Sequence, residues 1–299
     1  MKLKGYLYGC ISSASYGLIP LFAVPMMRKG MDIDSILSYR FACASLVMCI
    51  MLLIRKISLR ITLKEFFLLA ILGTVFASSS QFLFLGYNYL TVGIASTILF
   101  TYPAFVALIM FLLFKERIRF VTLASIVLAF IGVAHLYLGD GQTGPVSLLG
   151  VIIILLSSLS YGVYMIIVNK SRVKTMNGTK LTFYAMMFSS FIFTAKALIA
   201  NNGHLASFPD FSSVVCLLSL ALVPTIISGI TMVKSVHYVG STITAVLGAM
   251  EPLTAVLVGI IAFSEKFTTS LAVGMVLIIG AVTIIVLADR KDKNNSTAA

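Results

Sequence analysis

A chain of 299 residues that is 60% hydrophobic and only 11% charged cannot clothe a soluble surface, which needs far more charge. The net charge of +12 invites a nucleic-acid reading, but no RNA- or DNA-binding motif accompanies it, and its Lys and Arg residues collect between apolar runs. What remains is an all-α polytopic membrane protein, because a chain in lipid must satisfy its backbone within each spanning segment.

Apolar runs of roughly 20 residues, enough to cross the hydrocarbon layer at 1.5 Å per residue, predict ten helices. In chain order they are Gly5–Met27, Ser35–Ile54, Glu65–Tyr87, Gly93–Phe114, Val121–Leu138, Val146–Asn169, Lys180–Ala200, Phe211–Lys234, Ser241–Phe263 and Thr269–Ala288. The first run follows Lys2 and Lys4, as a signal peptide would. It is longer than a signal's apolar core and broken by Ser, Tyr and Pro, so it reads as a retained helix. Cys10, Cys43, Cys49 and Cys216 lie inside runs without CxxC or metal-ligand spacing, and read as small packing residues. The polar segment 289–299 reads as a disordered cytoplasmic tail.

Orientation follows from the basic residues. With the N-terminus inside, the inner segments carry Arg55–Lys64, Lys115–Arg119, Lys170–Lys180, Lys234 and Arg290–Lys293. The outer ones carry only Arg28, Lys29 and Lys266, with Lys196 near the outer end of the seventh run. Both termini are therefore expected in the cytoplasm.

The chain also repeats itself. Tyr89, Pro103 and Glu116 align with Tyr238, Pro252 and Glu265 at one offset of 149. Ser12-Ser13-Ala14-Ser15-Tyr16-Gly17 in the first run matches Ser157-Ser158-Leu159-Ser160-Tyr161-Gly162 in the sixth, and Gly132 matches Gly280. This divides the chain into residues 5–138 and 146–288, five helices each. Five is odd, so the second repeat enters the membrane from the opposite side. Such inverted repeats place a substrate site near the midplane between them, here in a cavity expected among runs one, three, four, six, eight and nine.

Glu251 stands near the middle of the ninth run, followed by Pro252, where the first repeat has Tyr102-Pro103. A carboxylate at that depth is costly unless neutralised, partnered or facing water, so it is a functional candidate by default. Three roles stay open for it: binding a cationic part of a substrate, carrying a coupling proton, or bonding a neighbouring helix. It shares a stripe of small residues with Thr244, Gly248, Ala255 and Gly259, which turns it toward protein. Arg40 either contacts a substrate carboxylate or snorkels to the interface. Gln81, Tyr16, Tyr102 and Tyr161 are large polar groups that need partners in a dry bundle, and complete the candidate substrate-binding set. The many Ser and Thr residues read first as packing groups that let helices approach and bond each other. Pro103 and Pro252 each remove a backbone hydrogen bond and are expected to kink runs four and nine, as paired hinges. Glu116 and Glu265, each just before a following run, read as structural charges at helix starts.

No HExxH, GxSxG, Walker loop or dinucleotide fingerprint is present, so no catalytic residue, metal ligand or cofactor is assigned and transport driven by ATP on this chain is not expected. The set of features resembles the EamA-type family of the drug/metabolite transporter superfamily. The resemblance rests on ten helices in two halves, Glu251-Pro252, Gly280, and the endings Phe114-Lys115-Glu116 and Phe263-Ser264-Glu265. It departs from the family in Tyr16-Gly17, where Trp-Gly is common, and in Tyr102-Pro103. The resemblance implies a secondary transporter, often an exporter, of amino acids or other small metabolites across the bacterial inner membrane. Its expected partners are a small-molecule substrate and the lipid bilayer, with no nucleic acid, in a monomer or weak homodimer. The alternative on the same fold is a protein that binds or translocates lipids or lipid-linked sugars.

Overall fold

A computed structural model describes residues 2–115, 120–141, 144–239 and 241–297. Among them, nine helices are long and apolar enough to cross a membrane, and a tenth, shorter apolar helix covers Met250–Phe263. Large apolar side chains such as Leu46, Leu113, Ile261 and Val276 face outward along these helices, as lipid as solvent permits. The chain is a polytopic membrane protein. The only strands among the described residues are the two-residue pair β1 (Asp140–Gly141) and β2 (Gly144–Pro145), between the fifth and sixth spans.

Several spans are not single helices. The first is α1 (Lys2–Gly17) and α2 (Ile19–Arg28), interrupted at Leu18, one residue before Ile19-Pro20. The second and third are continuous, α3 (Ile33–Ile54) and α4 (Leu63–Gly86). Both start at side-chain caps, with Asp32 accepting from the Ser35 amide and Thr62 forming a capping box with Glu65. The fourth is broken into α5 (Val92–Leu99) and α6 (Tyr102–Phe114), and the fifth is α7 (Phe120–Leu138). In the remainder, α8 (Leu148–Lys170) and α9 (Gly178–Ala200) are continuous. The eighth span runs α10 (Phe211–Ala221), a π-helical turn (Leu222–Ile227) and α11 (Ser228–Val239). The ninth is α12 (Ser241–Leu247) and α13 (Met250–Phe263), and the tenth is α14 (Thr269–Thr297). The helix in α14 continues over 289–297, where composition predicts disorder. Extending a formed helix adds one hydrogen bond per residue without a new nucleus.

The kinks expected at Pro103 and Pro252 are full breaks lying just ahead of each proline. Pro103 and Pro252 fall in the first turns of α6 and α13, where a missing N–H costs nothing because that amide has no intrahelical partner. The two broken spans correspond closely: α5 begins at Val92 and α12 at Ser241, and α6 and α13 end at left-handed caps on Lys115 and Ser264, all 149 apart. Spans two and seven likewise end before left-handed residues, Lys56 and Asn202.

Packing follows the same correspondence. Span two packs on seven, four on nine and five on ten, while one on eight mirrors three on six. Serines secure the last two contacts: Ser12 donates to the Ser228 carbonyl at 2.8 Å, and Ser157 donates to the Ser79 carbonyl at 2.7 Å. The Ser-rich motifs thus bond helix to helix. Two main apolar cores result. One draws on spans one, two, seven and eight with much of three; the other on four, five, nine and ten with part of six.

Candidate functional site

The breaks in spans four and nine place Tyr102 at the first residue of α6 and Glu251 in the first turn of α13. A carboxylate there sits at the positive end of the α13 dipole, which favours its charge. Gly17 makes room: a Cβ on it would lie 2.5 Å from the Glu251 carbonyl oxygen, so α1 touches the α13 backbone directly. In the corresponding place a Cβ on Gly162 would lie 3.4 Å from the Tyr102 carbonyl oxygen.

Tyr16, Arg40, Tyr102, Tyr161 and Glu251 converge on one narrow pocket of about 10 Å³, closed further by Ser79, Ser80, Leu83 and Leu99. That is room for about one water. Five of the six side chains picked from sequence therefore meet. Tyr161 stands edge-on to Tyr102 with ring centroids 4.8 Å apart and stacks on Tyr164 at 5.9 Å, so an aromatic wall faces the acid. Arg40 is only 2% exposed, which excludes snorkelling. Its guanidinium lies 5.3 Å from the Phe41 ring and 5.9 Å from the Phe84 ring, and its Nε donates to the Thr225 hydroxyl at 3.2 Å. Among the described residues no carboxylate pairs with Arg40, and no hydrogen bond or ion pair reaches the Glu251 carboxyl.

The sixth, Gln81, lies elsewhere. It donates to Asp34 at 3.1 Å and accepts from Lys196, which itself pairs with Asp34 at 2.9 Å. Gln81 is thus the polar partner of an ion pair joining spans two, three and seven, and its position on α4 turns it from the face bearing Ser80 and Leu83. Span two lines the pocket, where span eight was expected; span eight stands behind Arg40 through Thr225. Tyr87 and Tyr164 went unmarked in sequence and Thr225 read only as one of the packing threonines, although the spacing of Ser80, Leu83 and Tyr87 at i, i+3 and i+7 sets them on one helical face.

Glu265 does not serve the helix that follows it. Its carboxylate accepts the backbone N–H groups of Val92 at 2.7 Å and Gly93 at 3.1 Å, capping α5 of span four from across the bundle. Gly259 makes this possible, because a Cβ there would collide with the Glu265 carboxylate. Glu116 lies outside the described residues. Beside Glu265 a second, larger cavity of about 380 Å³ opens at the end of the bundle that carries Gly30, between Arg28, Asn88, Thr91 and Phe263. Arg28 lies over the Phe263 ring at 4.9 Å.

The EamA-like transporter family matches this chain twice, over residues 3–138 and 148–287. The chain belongs to the EamA-like transporter family. Among curated proteins it is 21% identical to an uncharacterized transporter of Clostridium kluyveri over 288 residues, covering 92% of this chain and 91% of the relative. It is 26% identical to an uncharacterized transporter of Synechocystis over 68% of this chain and 61% of the relative. It is also 27% identical to one of Archaeoglobus fulgidus over 52% and 54%. A solved crystal structure of a protein superposes with a TM-score of 0.67 over 96% of this chain and 98% of that one, at 18% identity, which shows the fold. This EamA-like protein is a multi-pass membrane transporter of the drug/metabolite superfamily, as its motifs implied, and it fits the bacterial membrane location expected of it.

Proposed function

We propose that this protein is a secondary transporter that exports small metabolites carrying both charges, such as amino acids, across the cytoplasmic membrane by alternating access. The observation that carries this reading is a buried Arg40 and an acid, Glu251, that line one pocket with no ion pair to each other or to any other described residue, Arg40 holding only the Thr225 hydroxyl. Two such groups are expensive to hold alone. A zwitterion offsets both, with its carboxylate on Arg40 and its ammonium on Glu251, while the tyrosines pack its side chain. Protonation of Glu251 in the absence of solute would serve the same end and would couple transport to a proton.

The twofold family match and the matching helix breaks support an inverted repeat of residues 5–138 and 146–288, with both termini inside as the basic loops indicate. The Gly30 end is then external. The two repeats are interleaved, each span packing on one from the other repeat, so the moving units are the two apolar cores rather than the halves in chain order. The larger cavity opens among helix ends instead of sideways between spans, which favours a water-soluble solute over a lipid or lipid-linked sugar.

The test is to compare internal and external metabolite pools by mass spectrometry in cells overexpressing the protein, its Arg40→Gln variant and its Glu251→Gln variant. A zwitterionic pool should leave the cell with the native protein, and either variant should cut that efflux about tenfold or more, since each removes a charge contact worth over 1.4 kcal/mol. A pool that moves equally with all three proteins would remove both residues from the site.

A further inference from the structure

Four spans run from the buried pocket to the larger cavity. On α4, Ser80 and Leu83 face the buried pocket and Tyr87 faces the larger cavity. On span one, Tyr16 faces the pocket and Val24 the cavity; on α5 the pair is Leu99 and Val92; on span nine, Glu251 and Phe263. Between them sits a small apolar cluster of Val24, Val92 and Ala255, with Tyr87 and Phe263 packed against it. Tyr87 also packs on the two main cores and so stands where they meet. Leu99 and Val92 are seven residues apart, so the barrier is about 10 Å thick at 1.5 Å per residue.

We propose that the 380 Å³ cavity is an outer vestibule of the transport path and that Tyr87, seated on Val24, Val92 and Ala255, is the gate that separates it from the buried pocket. This rests on the transporter reading. Tyr87 and Phe263 are the two large side chains of the barrier that line the vestibule on helices lining the pocket below, and of the two it is Tyr87 that packs on both main cores. It sits at the C-terminal cap of α4, next to the turn 88–91, where the backbone can yield without breaking a helix. Removing the ring would leave Phe263, held under Arg28, with Val24, Val92 and Ala255, whose short side chains cannot fill the gap. Glu265 holds the far wall by fixing the amides of Val92 and Gly93, so the gate moves on the α4 side.

Thiol labelling tests this without any knowledge of the solute. In a background with the four native cysteines replaced by alanine, intact cells are treated with membrane-impermeant trimethylammonium-ethyl methanethiosulfonate. Asn88→Cys reports the vestibule and Ser80→Cys the pocket. With Tyr87 present, Asn88→Cys should react fast and Ser80→Cys slowly. Tyr87→Ala should raise the Ser80→Cys rate about tenfold or more, an opening of over 1.4 kcal/mol, and leave Asn88→Cys unchanged. Tyr87→Phe should behave like the native residue, because the ring fills the opening. Val24→Ala should raise the Ser80→Cys rate by a smaller factor, and decides the matter should Tyr87→Ala fail to reach the membrane. Equal Ser80→Cys rates in all backgrounds would overturn the gate. So would a parallel rise at both positions, which would signal general loosening, and an unreactive Asn88→Cys would overturn the vestibule. None of these outcomes bears on the efflux comparison, so the two proposals fail separately.

Discussion

Gly17 shows how one residue sets the geometry of the site. Its missing Cβ lets α1 press against the backbone at Glu251, and an alanine there would sit 2.5 Å from the Glu251 carbonyl and 2.8 Å from the Thr254 side chain. One of the two helices must then shift, at a cost of about 1–3 kcal/mol for an overpacked contact. Gly229 on α11 has open space where a methyl group would stand, with nothing within 4 Å of that point. There alanine should be neutral or stabilising by a few tenths to about 1 kcal/mol, through better helix propensity. In detergent-solubilised protein followed by thermal denaturation, Gly17→Ala should melt several degrees below the native protein and Gly229→Ala at or above it. Equal melting of the two variants would mean that the α1–α13 contact is not tight. At this scale the sequence was partly legible. A tyrosine-glycine pair repeated in both halves marked the place, but the reason for the glycine emerges only when α13 lies against it. Gln81 was misplaced for a related reason. Residue type says that a glutamine in an apolar run needs partners, and not whether those partners are a solute or, as here, Lys196 and Asp34.

The eighth span carries the same lesson up to a helical element. Pro224 has no N–H to offer the Leu220 carbonyl one turn earlier. The Thr225 hydroxyl donates to that carbonyl at 3.1 Å, and the chain widens into the π-helical turn Leu222–Ile227. With its proton committed to Leu220, the Thr225 oxygen is left as an acceptor, and Arg40 donates to it at 3.2 Å. A proline in one span thereby orients a guanidinium on another. Thr225→Val keeps the shape but leaves the Leu220 carbonyl and the Arg40 Nε without this partner, at about 1–3 kcal/mol. Thr225→Ser preserves both bonds. Valine should lower the melting temperature and weaken efflux, and serine should restore both toward native values. If serine fails as badly as valine, the methyl group rather than the hydroxyl is what matters. The prolines in spans one, four, eight and nine were visible in sequence, whereas their consequences differ: an interruption at Leu18, breaks ahead of Pro103 and Pro252, and a widened turn at Pro224. Which of these a proline produces depends on the neighbour that takes up the freed carbonyl, and a linear pattern does not contain that neighbour.

For the whole molecule, helix count and spans were written in hydrophobic runs, because lipid leaves the backbone so few choices. The interleaving of spans was not, since pairing is decided by which small and polar faces meet. That interleaving determines what can move. Spans two and seven are joined at Ser38 and Thr194, whose hydroxyls lie 2.6 Å apart, and at the Asp34–Lys196 ion pair, so in the proposed mechanism they belong to one body although they come from different proposed repeats. Arg28 and Phe263, in contact at 4.9 Å, come from spans one and nine, which feed the two different cores, and face each other across the vestibule. Rocking of the cores must separate the second pair and spare the first. In the cysteine-free background, a short thiol-to-thiol crosslinker across Ser38→Cys and Thr194→Cys should leave efflux within about twofold of the uncrosslinked protein, a change below 0.5 kcal/mol. The same reagent across Arg28→Cys and Phe263→Cys should stop efflux, and a reductant that cleaves the link should restore it. Motion of the repeats as blocks in chain order predicts the reverse for the first pair, because a link from span two to span seven would tie one repeat to the other. Arrest by the Ser38–Thr194 link would therefore replace the two cores with the two repeats as the moving units.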